Sequence, residues 1–99
     1  MPSYRIRFAV GPLRPGIAPD AVLPAAAGAA RERTTVEAYD VAVVRGAARL
    51  TVRFLADDDG EAIVVARGVL AAVVPLADAA APELTRRNGP RWHPVPCSG

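Results

Sequence analysis

An α+β fold, in which an antiparallel sheet packs against one or two helices, is predicted by three observations. Residues Tyr4, Ile6, Phe8 and Val10 alternate with Arg5, Arg7 and Ala9, the period of two of a half-buried strand. Two β-rich runs between Thr34 and Ala56 flank Arg45-Gly46-Ala47-Ala48, the pattern of a hairpin. Beyond Ala56, apolar residues recur at helical spacing behind an acidic start.

The first strand ends where Gly11, Pro12, Pro15, Gly16 and Pro19 break regular structure, so residues 11–33 form an irregular connection. Within it, Asp20 could cap a helix running to about Arg33, with Pro24 near its start and Gly28 in its middle. The hairpin is read as turning on Gly46-Ala47, because a type II′ turn wants Gly at its first central position. Counting outward, Arg45 then faces Ala48, Val43 faces Leu50, Val41 faces Val52 and Tyr39 faces Phe54, which gives three apolar pairs on a buried face. The other face pairs Val44 with Arg49, Ala42 with Thr51 and Asp40 with Arg53.

Asp58 and Glu61 are spaced as a capping box, and Asp57, Asp58 and Asp59 suit a helix N-terminus. The stripe Ala62, Ile63, Ala66, Val69, Leu70, Val73 and Val74 predicts a helix that Pro75 stops. The competing reading of 57–74 is a further hairpin, since Asp-Asp-Asp-Gly also turns and Ile63-Val64-Val65 favours a strand. Residues 76–88 read as a loop with one helical turn near Pro82–Arg87. Arg91 to Val95 reads as a short edge strand with Trp92 available to the core, and 96–99 as a frayed tail. The resulting order of strand, helix, strand, strand, helix, strand resembles the ferredoxin-like βαββαβ arrangement. That resemblance lies in element order alone and implies helices on one face of an antiparallel sheet, with the other face open.

Ninety-nine residues leave room for one domain, and 21 alanines thin its core, so self-association would help it. All twelve basic residues are Arg, a bias that fits high-GC bacterial coding before it fits selection for guanidinium chemistry. A net charge of +2 is far from the dense basic stripe of a committed nucleic-acid binder. The lone Cys97 excludes an intrachain disulfide and a cysteine-based zinc site, which points to a reducing, cytoplasmic setting. The N-terminus lacks the apolar core of a secretion signal, and the run Val69–Ala77 is too short and too interrupted to cross a bilayer.

The open sheet face would carry Arg5, Arg7, Arg49 and Arg53, a set suited to phosphate, a carboxylate or an RNA backbone. Specific RNA reading is not expected, because arginine and threonine stand where stacking aromatics belong. Among them Ala38, Ala42, Val44 and Leu55 form an apolar strip that dimerisation, face to face or edge to edge, would cover. His93 is the sole histidine and has no second catalytic group beside it, while Ser3, Cys97 and Ser98 sit near the ends. The acidic run 57–61 lacks the ligand spacing of a calcium loop, and Gly11, Gly16 and Gly28 lack that of a phosphate loop. No cofactor or metal is expected. The function expected is a non-catalytic binding or assembly module, homodimeric through its sheet and serving a protein partner or small anionic ligand. The alternative is a small cofactor-free enzyme with a pocket between sheet and helices, by analogy of fold with antibiotic-biosynthesis monooxygenases.

Overall fold

The computed structural model describes residues 1–96, so Cys97 and Ser98 lie outside the described residues. Strand β1 (Ser3–Leu13) is followed by a 3₁₀ turn (Pro19–Ala21), helix α1 (Val22–Arg31), strands β2 (Val36–Val44) and β3 (Ala47–Leu55) and helix α2 (Asp59–Val73). Strands β4 (Ala77–Asn88) and β5 (Arg91–Pro94) follow. The five strands form one sheet in the order β2-β3-β1-β4-β5, with every neighbouring pair antiparallel.

The α+β class holds, but the ferredoxin-like βαββαβ reading is overturned. Among the described residues two strands follow α2, and the sheet has five. The error lies in residues 76–88, where alanines and Pro82 imitate a loop. They form a twelve-residue strand because Ala81 and Pro82 together stand opposite the single residue Phe8. This bulge, with Ala81 at φ 49°, places the proline where no ladder hydrogen bond is needed. A second irregularity near Gly11 lets β1 run on to Leu13, past the break that the sequence implies. A Cβ at Gly11 would lie 2.9 Å from the Asp78 Cβ, so only glycine permits that approach of β1 to β4. At the far end, β4 turns into β5 through Gly89-Pro90, with Gly89 at φ 60°.

The core follows the alternation of β1 and β3. Tyr4, Ile6 and Phe8 pair across the ladder with Phe54, Val52 and Leu50, and all six are buried beneath the helices. Helix α1 begins after the 3₁₀ turn and ends at Arg31, with Pro24 in its first turn, where no intrahelical N–H is required. It lies against α2 through small buried residues, Ala26 and Ala30 among them. Helix α2 starts as the aspartates suggest: the Asp58 carboxylate accepts from the Glu61 N–H at 2.8 Å, and Glu61 reaches back to the Asp57 N–H. Its buried stripe is Ala62, Val65, Ala66, Val69 and Val73, whereas Val74 is exposed.

The β2–β3 hairpin keeps its expected faces and changes its partners. The turn is Arg45-Gly46, with φ of 53° and 80°, the two positive values of a type I′ turn. Val44 therefore faces Ala47, Val41 faces Leu50, Tyr39 faces Val52 and Asp40 faces Thr51. The expected pairs Tyr39–Phe54 and Asp40–Arg53 do not form. A type I′ turn matches the twist of the strands, and that outweighs the cost of putting an arginine in the left-handed region. Only the β3 half of the expected buried face is buried. On β2, Tyr39 is 47% exposed, Val41 49% and Val43 75%: α1 approaches this strand, with Arg31 over the Tyr39 ring at 5.0 Å, but leaves these side chains uncovered.

Candidate functional site

The face of the sheet opposite the helices gathers the four expected arginines. Alternation turns Arg5 and Arg7 of β1 and Arg49 and Arg53 of β3 outward together. Arg5 stands directly opposite Arg53, Arg7 opposite Thr51 and Arg49 opposite Ala9. Arg7 is the hub of the group: Arg5 is two residues away on its own strand, and Arg49 and Arg53 are its diagonal neighbours on β3. All four are half-buried.

Their partners differ. Arg53 donates to Glu37 at 3.3 Å, and the same carboxylate oxygen accepts from the Ser3 hydroxyl at 2.5 Å. Arg5 donates through Nε to the Thr85 hydroxyl at 3.2 Å. Arg7 faces Glu83 across the β1–β4 ladder without forming an ion pair, and Arg49 forms none with any described residue. Burial, followed by the like charges of Arg7 and Arg53, lowers the pKa of the Arg5 guanidinium against the pull of Glu83. Positive charge is thus concentrated on the central strands beyond what neighbouring carboxylates neutralise.

Trp92 completes this face, and its place there corrects the expectation that it joins the core. On β5 it pairs with Arg87, and its ring lies 4.4 Å from the Arg5 Cζ and 5.5 Å from the Arg53 Cζ. One indole therefore braces both guanidiniums. The cue for this lay in Gly89-Pro90, whose Gly-first turn folds Trp92 back beside β4. A shallow depression of about 180 Å³ opens among Arg5, Thr51, Arg53, Asp40 and Trp92, and another of about 380 Å³ lies by Ala9, Val44, Arg45 and Arg49. Neither protein-family profiles nor curated proteins nor solved structures give a match to this chain.

The expected apolar strip is split. Ala38, Ala42 and Val44 line the open face of β2, interrupted by Asp40, whereas Leu55 lies at the end of β3 opposite Ser3. On the helix side, an apolar groove of about 440 Å³ runs between the start of α1 and the sheet, floored by Val10, Val41, Ala48 and Leu50 and walled by Val22 and Leu23. It is lined by neither His93 nor any arginine. His93 is exposed on β5 opposite Arg86. Among the described residues no cluster of three metal-ligating side chains occurs, and no helix is long and apolar enough to cross a membrane.

A second polar constellation was not legible in the sequence. The buried Tyr4 ring stacks on Phe54 at 6.0 Å, and its hydroxyl donates to the Asp59 carboxylate at 2.7 Å. Arg86 donates to the same oxygen at 3.2 Å. Burial and the hydrogen bond to this carboxylate push the Tyr4 pKa up to about 12. The same hydrogen bond, helped by Arg86, holds Asp59 below its ordinary range despite partial desolvation. No cavity adjoins this trio among those described, and it reads as the clasp that fastens the start of α2 to β1 and β4.

Proposed function

We propose that this chain is a non-catalytic binding module whose open sheet face holds a small anionic ligand around Arg7. The supporting observation is that Arg7, at the centre of four half-buried arginines on the two central strands, has no ion-pair partner among the described residues. Like charges held this close disfavour one another, and a phosphate or carboxylate placed between them relieves the repulsion. Arg5 and Arg53 are held in orientation by Trp92, so little ordering cost accompanies binding. The Thr51 hydroxyl beside Arg7 adds a neutral donor.

The test is a titration of the protein with inorganic phosphate and pyrophosphate, followed by amide shifts and by calorimetry. Saturable binding with shifts centred on Arg5, Arg7, Thr51 and Arg53 is expected. Arg7→Ala should weaken it roughly tenfold or more, the loss of a hydrogen bond to a charged group of about 1.5–3 kcal/mol. Arg14→Ala should change nothing, since Arg14 pairs with Asp78 at the far end of β1. Equal affinity in the Arg7→Ala and Arg14→Ala proteins would sink the assignment.

A further inference from the structure

We infer that the free edge of β2 is the docking surface for a second copy of this chain, joined strand to strand about a two-fold axis at Val41. β2 ends the sheet, so half of its backbone N–H and C=O groups have no partner strand. A two-residue turn makes its flanking residues, Val44 and Ala47, exchange hydrogen bonds. By alternation, the backbone groups of Tyr39, Val41 and Val43 point outward from the sheet. These three residues also carry the exposed apolar side chains of the hairpin. The edge therefore offers backbone groups that no strand pairs and uncovered apolar surface at the same positions; the Val41 N–H donates to the exposed Asp40 carboxylate at 2.8 Å, a local bond that a strand carbonyl of the second copy replaces, and the edge bears neither the proline nor the lysine that commonly blocks such edges.

Charge selects the second copy and its register. Antiparallel partners share a face only when residues of like parity meet, which leaves axes at Asp40, Val41 or Ala42 near the middle of β2. An axis at Asp40 sets two aspartates against each other. An axis at Ala42 puts Tyr39 opposite the Arg45 turn of the other copy. With the axis at Val41, Tyr39 meets Val43, Val41 meets its copy, and each Asp40 lies opposite Ala42, whose β3 neighbour is the cationic Arg49. β2 is thus complementary to itself in one register. The ten-stranded sheet so formed places Val41 of each copy at the open rim of the other's apolar groove, which Val41 already floors.

Light scattering coupled to size exclusion across a concentration series should give twice the 10.3 kDa chain mass. Val43→Lys alters a residue that is 75% exposed within one copy, so the fold should persist by circular dichroism while the mass halves. Val41→Lys should act in the same way. In a Cys97→Ser background, Val41→Cys should crosslink under mild oxidation, because residues opposite at such an axis have Cα atoms about 5.5 Å apart. Val43→Cys should not crosslink, its copy lying roughly 13 Å along the strands. A monomer at high micromolar concentration, or a dimer indifferent to both lysines, overturns the inference. Crosslinking of Val43→Cys in place of Val41→Cys overturns the register.

Discussion

Replacing Tyr4 by Phe keeps the ring that fills the core against Phe54 and removes only the hydroxyl that donates to Asp59 at 2.7 Å. Near neutral pH the loss should be modest. A hydrogen bond to a charged acceptor contributes about 1.5–3 kcal/mol, but the Asp59 side chain is 52% exposed and keeps Arg86, so about 1 kcal/mol is expected. Alkaline pH tells more. The folded-state pKa of Tyr4 is pushed up to about 12, above the free phenol at 10.0. Both states are protonated below that lower value, and the stabilisation is complete there. As pH rises from 10 toward 12, the unfolded chain releases its proton first, and stability is lost relative to Tyr4→Phe, about 2 kcal/mol at most because solvent reaches the exposed Asp59 end of the bond. The chain contains no lysine, so no ammonium titration obscures this window. Urea unfolding followed by circular dichroism from about pH 8 to pH 12 should show the native protein more stable at the acid end and less stable at the alkaline end, with the curves crossing between. A difference that stays constant with pH would refute both the burial and the bond.

Phe54→Ala empties a fully buried position that pairs with both β1 and β2, and it should cost roughly 3–5 kcal/mol in chemical denaturation. Arg45→Asn supplies the residue a type I′ turn prefers at its first positive φ, and a gain of about 0.5–1 kcal/mol in the same assay is expected. If the turn were instead on Gly46-Ala47, this substitution would be neutral or harmful.

The parts of the fold that were legible in the sequence are those where one local signal dominates. Charge alternating with apolar side chains declares β1, and the acidic cap with its apolar stripe declares α2. The illegible parts are those where a long-range partner decides. Pro82 and the alanines around it argue against a strand until β1 is beside them to absorb the bulge, and no local rule reveals that partner. Trp92, on a short edge strand, is available to the core by sequence but lies on the open face. Its strand is only four residues long, and the side of β4 on which it lies was fixed by Gly89-Pro90. The Tyr4–Asp59–Arg86 clasp joins residues from three elements whose proximity only the assembled sheet creates.

The hairpin shows which inferences survive such errors. Moving the turn from Gly46-Ala47 to Arg45-Gly46 slides β2 by two residues against β3, and a slide of two is invisible to the pleat. Every outward residue stays outward, so the grouping of Arg5, Arg7, Arg49 and Arg53 on one face does not depend on the turn. Every directly opposed pair changes, so Asp40 loses Arg53 to Glu37 and stands across from Thr51 instead. The same slide has an electrostatic consequence for the site. It sets Asp40 across Thr51 in the row of Arg7, where its carboxylate lines the depression beside Arg5 and Arg53, and Arg7, with Glu83 opposite it on β4, still lacks an ion pair among the described residues.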